Sequence, residues 1–198
     1  MALLCVYANS FEQKLNVEPY NIGERVNDLS IREIINFKDS TATLSSFGHK
    51  LIILDFWHTQ CSTCIAMFPL EDSLQHIFNN DLQFVLVTAE SKRIVQPFIQ
   101  RWDSVHSIHL TTPIVTGDYL LNKMFKHLYN PHYVWLAPDG TLLAQTSQEF
   151  INKEVIAQML SAIRNNEAFL KAEKFPNDAF NFPPLTDVQK AYLQNHTK

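Results

Sequence analysis

The chain has no excess of basic charge, no long apolar run and no second cysteine motif, and each absence removes a class of protein. Its 16 lysines and arginines are outnumbered by 20 aspartates and glutamates, giving a formal charge of -4 and a pI near 6.0. No positive field gathers phosphate backbones, so nucleic acid is not an expected partner. No apolar stretch reaches the ~18 residues that a membrane-spanning helix needs, and no transmembrane segment is expected. The cysteines number three, an odd count from which no disulfide scaffold follows. Internal repeats of useful length are missing too, which excludes a solenoid or propeller.

What is present is the material of a folded domain. The 198 residues are 46% hydrophobic, 12% aromatic and 18% charged, enough for one domain of ordinary size with a sizeable core. The N-terminal "MALLCVYANS" is a short apolar stretch, with Ala8 where an export signal places a small residue, but it lacks a basic start. Residues 1–21 are read as an N-terminal arm or the remnant of an export signal, with Cys5 inside it. Residues 22–164 form the domain. Beyond Asn165 the aromatic, proline-rich "KFPNDAFNFPPL" and the polar end mark residues 165–198 as an extension or linker.

Within the domain, "DLSIREIINFKDSTATLSSFGHK" breaks like one or two short strands and a turn at Gly48. "LIILDFW" is a continuous apolar run of strand length, which predicts a central parallel strand buried on both faces. From Ser62 the apolar residues Ile65, Phe68, Leu74, Ile77 and Phe78 recur at helical spacing until Asn79-Asn80-Asp81 ends them. "LQFVLVT" is a second strand. Ile94, Val95, Phe98, Ile99 and Trp102 share a helical face, with Pro97 predicting a later start or a kink. A loop over residues 110–118, a short helix over Tyr119–Leu128, a hairpin of "YVWL" and "TLLAQT" across "APDG", and a helix over Lys153–Ile163 complete the order β-α-β-α-(α)-β-β-α.

The chemistry gathers at "DFWHTQCSTC", where Cys61 and Cys64 stand two residues apart at the join of the first strand and its helix. At this spacing two thiols can close a small disulfide ring. The N-terminal end of a helix carries roughly +0.5 of a charge, which favours a thiolate at Cys61, with Cys64 one turn inward as the resolving thiol. A structural zinc site is the second reading of a C-x-x-C. It needs four ligands, and His49, His58, His127 and His132 form no paired motif. Two inert buried thiols are the third.

The surroundings narrow these readings through a resemblance. Asp55-Phe56-Trp57, Cys61, Cys64 and Pro69, with an acid six residues before the first cysteine and a proline five after the second, resemble the thioredoxin active-site segment. The layout "TLSSFGHKLIILDFWHTQCSTCIAMFPLEDSLQ" followed by a strand, a helix and "NPHYVWLAPDG" resembles the exported TlpA-like thiol-disulfide oxidoreductases over about residues 22–164.

That resemblance implies an α/β thioredoxin-like fold, a central mixed sheet flanked by helices. It implies an enzyme exchanging dithiol for disulfide through Cys61 and Cys64, with no metal or organic cofactor beyond that redox-active pair. Asp55 is then the buried acid beneath Cys64, with a raised pKa, that takes the resolving thiol's proton. Trp57 flanks the pair; Asn130 and Pro131 face it as a cis-proline turn presenting backbone to an extended substrate. The dipeptide alone reads as a turn with a trans bond. The implied partners are disulfide-containing or dithiol protein substrates and an upstream dithiol electron donor, in the periplasm or another exported location, with the cytoplasm as the alternative.

Departures from the pattern matter as well. Gln60 replaces the usual tryptophan, Ser62-Thr63 lacks the common proline, and Met67 occupies a position where relatives that reduce apocytochrome c carry a glutamate. Glu90 reads as a solvated loop residue, with a replacement acid as its alternative. His58 and His132 read as surface histidines, with imidazolium tuning of Cys61 as theirs. Two other functions keep the fold: a peroxiredoxin-like thiol peroxidase, whose Pro and Thr ahead of the cysteine are absent from His58-Thr59-Gln60, and a thioredoxin-fold binding module.

Overall fold

The computed structural model describes residues 18–172, Leu29 and His49 excepted. The apolar N-terminal stretch with Cys5, and the aromatic, proline-rich tail, lie outside the described residues.

The first strands among the described residues are three short ones, β1 (Ser30–Arg32), β2 (Ile34–Ile35) and β3 (Thr41–Thr43), the first and third pairing antiparallel as a separate ribbon. A single 3-10 turn over Leu44–Phe47 closes on Gly48, whose φ of 95° suits glycine. Then come β4 (Leu51–Phe56), α1 (Ser62–Ile77), β5 (Leu82–Val87), α2 (Lys92–His106), β6 (Ile114–Val115), α3 (Leu120–Met124), β7 (His132–Leu136), β8 (Leu142–Thr146) and α4 (Lys153–Ala172). The six-stranded sheet runs β2-β6-β5-β4-β7-β8, with β4 parallel to β5 and antiparallel to β7. This is the thioredoxin-like α/β arrangement that the resemblance implied.

Every residue of β4 is buried, Asp55 included, as its apolar character predicts for a strand covered on both faces. Alternation divides its side chains between two cores. Ile52, Leu54 and Phe56 pack with Val85, Val87 and Val134 against the lead-in and α3. Leu51 and Ile53 pack with Phe84, Tyr133 and Trp135 against Leu74 of α1 and Ile156 and Leu160 of α4. Beyond the end of β4, Trp57, both cysteines, Phe68, Leu86 and Trp102 make a third cluster against α2.

The structure departs from the sequence reading at several points. The lead-in holds three strands, and β2 caps the sheet edge by pairing with β6. The stretch read as a loop over 110–118 contains β6, two residues long and too short for periodicity to mark. The helix predicted over Tyr119–Leu128 spans five residues, and the last helix runs on to Ala172. Pro97 does not delay α2, which begins at Lys92. Val95, Ile99 and Trp102 face the core while Pro97 is exposed, so water can meet the carbonyl that lacks an amide partner.

The arm boundary at residue 21 also meets the fold. The Tyr20 amide donates to the Met124 carbonyl at 3.0 Å, and its ring stacks on Phe125 with centroids 6.1 Å apart. Among buried side chains, Ile53 is fully enclosed at the middle of β4. Ile53→Ala is expected to cost about 2–5 kcal/mol, read as a lower urea midpoint with an unchanged slope.

Candidate active site

The dithiol sits where β4 ends and α1 begins. Cys61 and Cys64 form a disulfide with sulfurs 1.99 Å apart and Cα atoms 5.3 Å apart. Cys61 is the N-cap of α1, and its Sγ accepts from the Cys64 amide at 3.2 Å. The sulfur nearest solvent thus lies at the helix end where unpaired N–H groups stabilise negative charge. Cys61 is 8% exposed and Cys64 is fully enclosed, the asymmetry an attacking and a resolving thiol require.

The loop carrying Cys61 is fastened from outside. The Glu90 carboxylate accepts from the Thr59 amide at 2.7 Å and from the Thr59 hydroxyl at 2.8 Å. Glu90, read from sequence as a solvated loop residue, is therefore a two-point tie between the loop after β5 and the active-site loop. Its own carbonyl accepts from the Gly117 amide at 2.8 Å, which anchors it to the segment after β6.

Trp57 is 2% exposed and packs edge-on against Phe68, with centroids 5.1 Å apart. It lies within the core beside the pair. The Asn130–Pro131 peptide is cis, and Pro131 is buried immediately before β7, whose His132 pairs with Phe56 at the end of β4. The turn is therefore at the same end of the sheet as the dithiol. Ahead of it, Leu128 and Tyr129 are 83% and 82% exposed.

His132 is half-buried, its Nε2 donating to Gln145 Oε1 at 3.0 Å and its ring stacked on His127 with centroids 4.5 Å apart. Burial, with the neighbouring His127 adding to it, lowers its pKa to about 4. His132 is neutral at physiological pH and supplies no imidazolium to Cys61, which corrects its reading as a surface histidine.

Asp55 is fully enclosed, and neither carboxyl oxygen has a hydrogen-bond partner. Burial, then repulsion from Glu71, raises its pKa well above the ordinary range. Glu71 was not found from the sequence. It is 1% exposed on α1 and accepts from the Tyr133 hydroxyl at 2.7 Å. Burial pushes Glu71 up to about 7 against that hydrogen bond. The clue was there in the spacing: Cys64, Phe68, Glu71 and Leu74 form the buried stripe of α1, while Ile77, assigned to the core from its hydrophobicity, is 51% exposed. Among the described residues no group of three or more His, Cys, Asp or Glu side chains is arranged to hold a metal ion.

No family model matches the chain. It is 26% identical over 144 residues to the thiol-disulfide oxidoreductase ResA of Oceanobacillus iheyensis, spanning 69% of this chain and 70% of that protein. Its fold is similar to the exposed lipoprotein thioredoxin of Streptococcus pneumoniae, with a TM-score of 0.53 and 20% identity over 68% of this chain and 98% of that one. A 2-Cys peroxiredoxin of Plasmodium vivax is similar in fold too, with a TM-score of 0.57 and 13% identity over 74% and 98% of the two chains.

The chain thus combines a thioredoxin-like fold with a C-x-x-C disulfide at the start of the first helix after the central strand. Its sequence likeness runs to a protein named as a thiol-disulfide oxidoreductase.

Two measurements check this geometry. Glu90→Ala removes both ties to Thr59 and is expected to cost on the order of 1.5 kcal/mol, low for bonds to a charged group because the pair is half-exposed, read as faster hydrogen exchange at the Thr59 amide. The second concerns pH. His132, lowered to about 4 from 6.5, contributes stability that is full above pH 6.5 and lost as pH falls toward 4. Glu71, raised to about 7 from 4.5, contributes stability that is full below pH 4.5 and lost as pH rises through 7. In urea melts across pH, His132→Gln should flatten the acid limb and Glu71→Gln the neutral one.

Proposed function

We propose that this protein reduces disulfides in exported proteins, Cys61 attacking and Cys64 resolving. The observation that carries the reading is the pair's asymmetry: one sulfur at the rim and at a helix N-terminus, the other enclosed one turn inward. The Cys61 thiolate attacks one sulfur of a substrate disulfide, forming a mixed disulfide and releasing one substrate thiolate. Cys64 then gives up its proton and attacks Cys61 Sγ, which closes the internal disulfide and frees the second substrate thiolate. Two electrons pass from the dithiol to the substrate. An upstream dithiol protein returns them.

The other site residues take roles consistent with their positions. Asp55, buried and without a hydrogen-bond donor, receives the Cys64 proton in this scheme. Asn130 and Pro131 offer backbone to an extended substrate chain beside the pair. Trp57 backs the dithiol from within the core and shields it from water. An exported location is supported by the pneumococcal relative in fold, which is named an exposed lipoprotein.

Cys64→Ser is expected to accumulate a mixed disulfide with a protein substrate, visible by mass, and Cys61→Ser to form none. Equal behaviour of Cys61→Ser and wild type would sink the reading. The reduction potential of the pair tests the direction: a value near about −270 mV fits a reductase, and one near about −120 mV assigns the protein as an oxidant. Rapid consumption of hydrogen peroxide would instead favour the peroxidase whose fold it shares.

A further inference from the structure

One face of the sheet holds a polar group that the exchange scheme leaves unused. Asp55 on β4 lies directly opposite Tyr133 on β7, so their side chains share a face. From that position the Tyr133 hydroxyl donates to Glu71 Oε1 at 2.7 Å, which places Glu71 above the Asp55–Tyr133 pair. Cys64 and Glu71 lie on one buried stripe of α1, seven residues or about 10 Å apart along its axis. The acid pair therefore sits on the inner side of the resolving cysteine, closed off from solvent.

Two carboxyl groups in such a place cannot both be ionised. Among the described residues no cation pairs with either one, and burial without a counter-charge strongly disfavours a second negative charge. The group facing them is Tyr133 from β7, while Glu149, just before α4, acts on Tyr133 with the same negative sign. Hydrogen bonding separates the two acids. Glu71 accepts a donated hydroxyl bond, which favours its ionised form; Asp55 accepts none, which favours its protonated form. A protonated Asp55 cannot by itself accept the Cys64 proton.

We propose that Asp55 and Glu71 hold one proton between them, and that Glu71 is the positioning residue that frees Asp55 to take the proton of the Cys64 thiol. The inference rests on the exchange chemistry proposed above. After Cys61 has formed its mixed disulfide, Asp55 passes its proton to Glu71 and takes the Cys64 proton, directly or across one water. The Cys64 thiolate attacks Cys61 Sγ, the substrate thiolate leaves, and both carboxyls are briefly protonated. One proton then returns to the departing thiolate or to solvent, restoring the singly protonated pair. The Tyr133 hydroxyl donates to Glu71 Oε1 and sets how readily the carboxylate takes a proton.

Two measurements on the full chain test this. The first is a site-resolved carboxyl NMR titration of the oxidised protein, which needs no substrate. Glu71→Gln is expected to lower the Asp55 midpoint, and Tyr133→Phe to raise the Glu71 midpoint. An Asp55 midpoint indifferent to Glu71→Gln overturns the shared proton, whether or not the protein reduces disulfides.

The second is stopped-flow reaction of the reduced protein with an aromatic disulfide that releases one coloured thiolate on attack and another on resolution. Glu71→Gln should leave the first release alone and shift the pH profile of the second to lower pH, in step with the lowered Asp55 midpoint. An unchanged second profile, or an equal shift of both, counts against Glu71. If wild type releases neither, the exchange reading itself fails and the relay fails with it, while the titration still decides the shared proton.

Discussion

Burial of β4 on both faces is the constraint on which the rest depends. A strand enclosed on two sides needs partners at both edges and a cover for each face, and β5, β7, the helices and the lead-in supply them. The same enclosure gives the strand's end its chemistry. Where the strand ends at Phe56, the chain turns through Trp57 into a helix whose first amides have no intrahelical acceptors, and the dithiol occupies that end. Asp55, one residue before the end, inherits the dry surroundings of its apolar neighbours. Reactivity here follows from a packing decision made several residues earlier.

Much of this is legible in sequence because the signals are long and local. Five apolar residues at β4 and five at β5 announce buried strands, and the C-x-x-C at the join after β4 announces its chemistry. Other features escape for definite reasons. β6 has only two residues, fewer than any period can register. Glu71 lies on a core stripe but counts as polar in any hydrophobic pattern, so the pattern passes over it in favour of Ile77, which faces water. The bond from Thr59 to Glu90 joins residues 31 apart, beyond the reach of local rules. The cis peptide before Pro131 follows from the family resemblance alone, since the dipeptide by itself reads as trans.

The two halves of the molecule treat charge differently. At His132 burial removes a positive charge; at Asp55 and Glu71 it resists negative ones. The end of the sheet that carries the disulfide is thus flanked by groups that burial keeps closer to neutral than water would. Such a setting suits an exchange reaction in which thiolates form and vanish, because fixed charges nearby would bias one redox form over the other.

The lead-in reaches further than its modest strands suggest. The Glu33 carbonyl accepts from the amide and hydroxyl of Thr116, the next residue's amide donates to the Glu90 carbonyl, and the Glu90 carboxylate holds Thr59. The loop bearing Cys61 is thus moored, through a relay of short polar links, to a segment nearly thirty positions upstream in the chain. Wear on that mooring, from a nick or an insertion in the first strands, would be felt as a loosened cysteine.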